Sequence, residues 1–262
     1  MTSRISDYDA AITEPSLREL IGIARWLQEN RQKTFLVGGW AVYFLTMSGS
    51  RTPGVYREGK YRESRYRDAA GFQPLGSKDI DLVFQNKSAR EVFEQGYCRP
   101  NGFIRPKLLL SRNTWQKSFG SGEVELDFAL LSETRTARRV KIGWSDLSRH
   151  NAVVNVAPGV SVLVPSRELL LLYKCFALVE RSDKRGQPNQ DLRYLDSKIW
   201  KDANDILALH DAGVDGSMLD SLAKEAGLGK ILADAKGILR ARFDGFGFTQ
   251  YSSSVDFLKS GL

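Results

Sequence analysis

Apolar residues recur with two different periods along this chain, and the change of period divides it. Leu17, Leu20, Ile21, Ala24 and Leu27 fall at the three- and four-residue spacing of one helix face. Pro15-Ser16 predicts the start of that helix, with Ser16 and Glu19 spaced as a capping box. Phe35-Leu36-Val37 is a short apolar run of strand type; Gly38-Gly39 follows at once, and Trp40 to Met47 predicts a second helix. Asp79-Ile80-Asp81-Leu82-Val83-Phe84 alternates as a strand does, and Lys87 to Gln95 predicts a helix. Strands are expected at 107–111, 115–119 and 123–131. In the last of these, Val124, Leu126 and Phe128 share one face and Glu123, Glu125 and Asp127 the other. Residues 140–164 are mixed and end in an expected strand at Val160–Val164. From Pro165 the period is helical, with helices expected at 166–182, 197–211, 217–226 and 228–240 and a polar stretch from Asp183 to Gln190. The pattern predicts an α+β chain: a mixed sheet flanked by helices over residues 1–165, then a helical domain over 166–262.

Residues 48–78 break the pattern. They hold Gly, Pro, Ser, Arg and Tyr and almost no aliphatic side chains. Tyr56-Arg57, Tyr61-Arg62 and Tyr66-Arg67 form a small repeat spaced by five. Seven basic and three acidic residues give the segment a net charge of +4, out of +7 for the whole chain. A connection of this length is either functional or unstructured. Gly54 and Gly59-Lys60 imitate the spacing of a phosphate-binding P-loop, but Tyr61 stands where that loop needs Ser or Thr, and no strand precedes it.

Composition narrows the chemistry. Apolar residues make up 42% and charged residues 26% of 262, an ordinary globular balance that excludes collagen-like and low-complexity classes. Two cysteines, Cys98 and Cys175, do not make a disulfide framework and point to a reducing compartment. With only His150 and His210, a zinc cage or a His-rich iron or copper site is not expected, and any metal should be a hard cation on carboxylates. The two histidines and two cysteines are read as structural. Apolar runs such as Leu169–Tyr173 are far short of the roughly 20 residues of a membrane helix, and the N-terminus has no apolar signal region. The expectation is a cytoplasmic protein without a membrane partner.

Asp79 and Asp81 are the sharpest feature. Residues i and i+2 of a strand point to the same side, about 7 Å apart, with Ile80 and Leu82 anchoring the other side. Two such carboxylates, joined by a third on a neighbouring strand, suit a divalent cation shared with substrate phosphates. Asp127, mid-strand among its apolar neighbours, fits that third place. Glycines between a strand and a helix permit close backbone approach to a phosphate, at a helix N-terminus whose N–H groups and dipole favour anions. Taken singly, each signal has a plainer reading: an Asp-x-Asp on a solvated edge strand, and a Gly-Gly in a simple turn.

Taken in order, Val37-Gly38-Gly39-Trp40-Ala41, Asp79-Ile80-Asp81-Leu82 and Asp127 resemble the nucleotidyltransferase superfamily related to DNA polymerase β. The resemblance implies a polymerase β-like domain and transfer of a nucleoside monophosphate from a nucleoside triphosphate to an acceptor hydroxyl, releasing pyrophosphate. It implies Mg²⁺ or Mn²⁺ as cofactor, Gly38 and Gly39 as phosphate-binding residues, and Asp79 and Asp81 as metal ligands. Asp127 matches the third carboxylate, which also helps deprotonate the acceptor, with Glu125 the alternative on that face. The 39 residues between Gly39 and Asp79 exceed the family's usual linker, and the excess is the Arg/Tyr segment, read as an insertion.

The helical half narrows the resemblance. Lys174 lies in an otherwise apolar helix, Arg181 follows one heptad later, and Lys201-Asp202-Ala203-Asn204-Asp205 comes after. These look like the late Lys and Lys-Asp-x-x-Asp motifs of the AbiEii and MenT branch of toxin nucleotidyltransferases. That branch implies that Lys174, with Arg181, Lys201, Asp202 and Asp205, faces the nucleotide. Two plainer readings stay open: Lys174 snorkelling at a helix edge, and Lys198–Asp202 and Lys201–Asp205 as surface i,i+4 pairs. The Gly-Gly-Trp-Ala wording is also similar to aminoglycoside and lincosamide nucleotidyltransferases.

For the acceptor, the expectation is RNA, specifically tRNA, modified by the toxin of a toxin–antitoxin pair. Arg57, Arg62, Arg65 and Arg67 would contact phosphates, and the tyrosines beside them would stack on unpaired bases. An antitoxin partner is implied by the resemblance alone. The alternatives are an antibiotic-modifying enzyme with a cationic acceptor, and an inactive fold used as a binding module.

Overall fold

The computed structural model describes residues 10–47, 76–106, 113–120, 122–130 and 143–246. The expected strand at 107–111, the P-loop-like stretch and residues 48–75 of the insertion, with Arg57, Arg62, Arg65 and Arg67, lie outside them. The chain divides into two compact units, and the principal cut falls between Ser166 and Arg167. The architecture is α+β, with a six-stranded mixed sheet in the first unit.

The first unit runs α1 (Ala10–Glu29), β1 (Thr34–Val37), α2 (Gly38–Met47, of which residues 45–47 are counted with the second unit), β2 (Asp79–Phe84) and α3 (Lys87–Phe93). It continues through β3 (Thr114–Phe119), β4 (Gly122–Leu130), α4 (Trp144–Arg149), β5 (Asn151–Ala157) and β6 (Val160–Pro165). The strand order is β3-β4-β2-β1-β6-β5. β2 pairs in parallel with β4 and β1 with β6, while the β1–β2, β3–β4 and β5–β6 pairs are antiparallel. The alternation in β2 and β4 sorts their side chains. Ile80, Leu82, Phe84, Val124, Leu126 and Phe128 are buried. Phe93 of α3 meets both Phe84 and Phe128, and Trp26 of α1 meets Phe93, so α1 and α3 cover this apolar face. The acidic residues of the two strands are left on the opposite face.

Several boundaries differ from expectation. α1 begins at Ala10, so Pro15 and Ser16 lie inside it and no capping box forms. Ser16 is fully buried, and its Oγ accepts the Trp40 indole N–H at 2.9 Å. Ile23 takes a fully buried place on α1, while Ile21 is only half-buried. α2 takes up both glycines as its first residues. α3 continues into a π-helical turn, Glu94–Cys98. That turn seats Gly96 where a Cβ would lie 2.6 Å from the Trp26 ring. Within the mixed region 140–164 the structure adds α4 and β5.

The second unit is helical: α5 (Arg167–Arg185), α6 (Leu192–Asp211), α7 (Gly216–Glu225) and α8 (Gly229–Phe246). α5 is its hub, packing on α6, α7 and α8 through Leu169–Leu172, Cys175, Leu178 and Val179. α6 starts five residues before the expected position because Asp191 caps it, accepting the Tyr194 N–H at 3.0 Å. Asp215 caps α7 in the same way. Both cysteines are free and buried; burial raises both thiols above their ordinary range, Cys175 to about 12. No described helix is long and apolar enough to cross a membrane.

Candidate active site

The parallel β2–β4 register sets Asp81 directly beside Asp127, and Asp79 beside Glu125. Period-two geometry puts all four carboxylates, and Glu123, on the sheet face away from α1 and α3. On the other side of β2, Asp81 pairs with Val37, the last residue of β1. The chain therefore turns into α2 immediately next to Asp81.

That turn requires glycine. Gly38 has φ +68°, in the left-handed region that a Cβ disfavours. A Cβ on Gly38 would collide with Asp81 Oδ2 and stand 2.6 Å from its Cγ. The first glycine of the pair thus makes room for a carboxylate, a demand separate from any approach to phosphate. Trp40 then locks the first turn of α2 through its bond to Ser16. Gly76, three residues before β2, is held against the same indole: its Cβ would lie 3.1 Å from Trp40 and 3.0 Å from Thr13.

On β3, Thr114 is the register partner of Asp127 and Gln116 that of Glu125. The Thr114 hydroxyl donates to Asp127 Oδ1 at 2.6 Å, and Gln116 Nε2 donates to Glu125 Oε1 at 3.0 Å. The start of β3 is itself anchored. Asn113 accepts from Arg90 at 2.8 Å through its side chain and from the Phe128 N–H at 3.0 Å through its carbonyl. Arg90 in turn pairs with buried Glu94 at 3.5 Å. Thr114 was legible in principle, because Gly120-Ser121 is a two-residue hairpin signal that sets Phe119 opposite Gly122 and hence Thr114 opposite Asp127.

Among the described residues, no group of three or more His, Cys, Asp or Glu stands ready-made as a metal cage. Mg²⁺ does not require one, because it takes one or two carboxylates and completes its shell with water and substrate phosphates. The donor set here is oxygen only, with Asp79 and Asp81 two residues apart and Asp127 beside Asp81. That chemistry fits a hard divalent cation.

The late-motif residues form a buried ion network in the second unit. Lys174 of α5 pairs with Asp205 at 2.8 Å and Asp202 at 3.5 Å. Arg181 pairs closely with Asp202, and Lys201 with Asp205. Asp202 and Asp205 are each 1% exposed and Lys201 5%. The surface-pair reading is thus corrected: Lys201–Asp205 is an i,i+4 pair, but an interior one. Snorkelling is corrected too, since the Lys174 ammonium ends on two buried carboxylates. Burial opposes the charge on Lys174, yet Asp205 and Asp202 outweigh it and raise its pKa. For Lys201, burial and the neighbouring Lys174 prevail over Asp205 and lower it. Burial likewise pushes Asp205 up, but Lys174 and Lys201 bring it below the ordinary carboxylate range.

Among solved structures the chain is similar to a nucleotidyltransferase-like protein. This is an antigenic protein from Paracoccidioides brasiliensis, 16% identical, matched over 84% of this chain and 90% of that one with a TM-score of 0.46. A second similarity is to the antibiotic-resistance factor ANT(2'')-Ia, 15% identical, over 81% of this chain and 97% of that one, with a TM-score of 0.38. No family model matches the chain, and no curated protein matches it.

Proposed function

We propose that this protein is a divalent-metal-dependent nucleotidyltransferase that moves a nucleoside monophosphate from a nucleoside triphosphate to an acceptor hydroxyl. The observation that carries the reading is the juxtaposition of Asp81 with Asp127 across parallel strands, with Gly38 seated against the Asp81 carboxylate. Asp79, Asp81 and Asp127 would hold Mg²⁺ or Mn²⁺. When bound, such ions neutralise phosphate charge and make a hydroxyl a better nucleophile. The N–H groups at the start of α2 meet the triphosphate, where the helix dipole favours anionic oxygens. Asp127 accepts the proton of the attacking hydroxyl. From the late sequence motif alone, Lys174 and Arg181 of the second unit are assigned to anionic groups, with Asp202, Asp205 and Lys201 fixing their positions within that unit.

The acceptor is RNA, with tRNA the first candidate, and the protein acts as the toxin of a toxin–antitoxin pair. Support for this comes from the sequence: the late Lys and Lys-Asp-x-x-Asp motifs, and the +4 Arg/Tyr segment with its suitability for phosphates and unpaired bases. A cationic small-molecule acceptor is the second reading. It is favoured by Glu123 and Glu125, which extend the acidic face of β4 beyond Asp127.

The deciding experiment incubates the protein with each labelled nucleoside triphosphate, Mg²⁺ and total cellular RNA, with the double variant Asp79→Ala/Asp81→Ala as control. Label on a tRNA-sized band with the wild type alone is the expected result. Pyrophosphate release only with cationic sugars would move the acceptor to the second reading. Release with neither, under Mg²⁺ or Mn²⁺, would refute nucleotidyl transfer.

A further inference from the structure

The Asp127 carboxylate is held from behind. Its Oδ1 receives the Thr114 hydroxyl at 2.6 Å, from a residue only 8% exposed on the adjoining strand. Thr114 has little freedom to miss. It is the register partner of Asp127, and the residue before it is fixed by Arg90 and by the Phe128 N–H. A carboxylate on a strand rotates about two side-chain torsions, and a single short hydroxyl bond from a fixed strand removes most of that freedom. We propose that Thr114 is a positioning residue of the active site: it sets the carboxylate plane of Asp127, the third acidic residue, for the metal and the acceptor hydroxyl.

This inference rests on the nucleotidyltransferase reading. It distinguishes Thr114 from Gln116, which makes a comparable bond to Glu125 two residues along the same strands. If hydrogen bonds across this hairpin serve only the fold, the two should be interchangeable. If Thr114 orients a working carboxylate, only its loss should affect the site. Partners that orient a metal ligand typically carry about 10- to 100-fold of affinity or activity.

The test compares Thr114→Val, Thr114→Ser and Gln116→Leu with the wild type. Valine keeps the shape and strand preference of threonine without the hydroxyl, and serine restores the hydroxyl. Two readouts are taken: binding of Mn²⁺ alone, by electron paramagnetic resonance, and steady-state transfer from the preferred nucleoside triphosphate. Thr114→Val is expected to weaken Mn²⁺ binding and lower kcat about tenfold each, with the triphosphate KM unchanged. Thr114→Ser should recover both, and Gln116→Leu should leave both at the wild-type level. Wild-type Mn²⁺ affinity and kcat in Thr114→Val would overturn the proposal while leaving the transferase reading intact. Equal losses in Thr114→Val and Gln116→Leu would overturn it too, in favour of a structural role. A wild-type protein that neither binds Mn²⁺ nor transfers would remove the transferase reading and, with it, this role for Thr114. Circular dichroism melts of the three variants show whether any loss comes from unfolding. A Thr114→Val protein that fails to fold leaves the decision to Thr114→Ser, whose recovery must then be measured against Thr114→Ala.

Discussion

Replacing Gly38 by alanine should harm the protein in two separable ways. The first is conformational: at φ +68° an L side chain costs about 1–2 kcal/mol. The second is steric and local. The new Cβ would stand 2.6 Å from Asp81 Cγ, so regaining ordinary carbon contact needs roughly 1 Å of movement. Asp81 is the more mobile partner, because Gly38 is tied to β1 and to the start of α2. A displacement of about 1 Å in a catalytic group costs on the order of 100-fold in rate. Gly120→Ala is the matching control. Gly120 also has positive φ, at +56°, but a Cβ there meets no described atom within 4 Å. Denaturant unfolding and labelled-nucleotide transfer are measured on both variants. Gly120→Ala should lose only the conformational 1–2 kcal/mol and keep its activity. Gly38→Ala should lose at least as much stability and about 100-fold in transfer, with the same loss of Mn²⁺ affinity expected of a disturbed Asp81. Equal behaviour of the two variants in both assays would refute the claim that Gly38 exists to accommodate the carboxylate.

Two further predictions concern the packing around the site and the buried ions. Asp205→Asn leaves Lys174 and Lys201 without their shared anion and should cost about 3–5 kcal/mol in denaturant unfolding, whereas a loss under 1 kcal/mol would mean the network is not an interior one. Because Lys174 and Lys201 hold the folded-state Asp205 below its ordinary 3.8 against the effect of burial, its contribution is complete above that pH. On the acid side, the stability gap between wild type and Asp205→Asn should therefore be complete above 3.8 and narrow as pH falls through the lower folded value; a gap that widened on acidification would contradict the pairing. Trp40→Phe and Ser16→Ala, with their double variant, should give a coupling of about 1 kcal/mol in melts, while additivity would show that the indole bond is not holding α2 to α1.

Elements whose period was strong could be read directly from the chain. β2 and β4 alternate cleanly, and the four C-terminal helices carry apolar stripes. What escaped was information that no local window contains. The sequence places Asp127 on an acidic face, but the parallel register that sets it against Asp81 rather than Asp79 joins strands about 46 positions apart. Phe84 of β2 and Phe128 of β4 both meet Phe93 of α3, so the register answers to packing across the two strands and not to either strand alone. Ser16 shows the same competition at smaller scale: its spacing to Glu19 suits a cap, but a buried indole N–H 24 residues away claims its oxygen instead. β5 was missed because Asn151-Ala152-Val153-Val154-Asn155 alternates poorly and acquires strand structure only against β6.

The late acidic motif carries the same lesson into function. Helix spacing alone presents Lys201–Asp205 as an ordinary surface pair, worth a few tenths of a kcal/mol. Burial changes its meaning, because two carboxylates at 1% exposure cannot be left without cations. Lys174 and Arg181 on α5 supply those cations from across the helix pair. Arg181 is the exposed member of this network, with 31% of its side chain open over the buried Asp202, so its charge is the one an anionic ligand such as a triphosphate would meet first. If so, triphosphate binding should stabilise the wild type against unfolding by more than it stabilises Arg181→Gln, where that cation is gone. Equal stabilisation of the two would separate this network from nucleotide binding and leave it a purely structural feature of the helical unit.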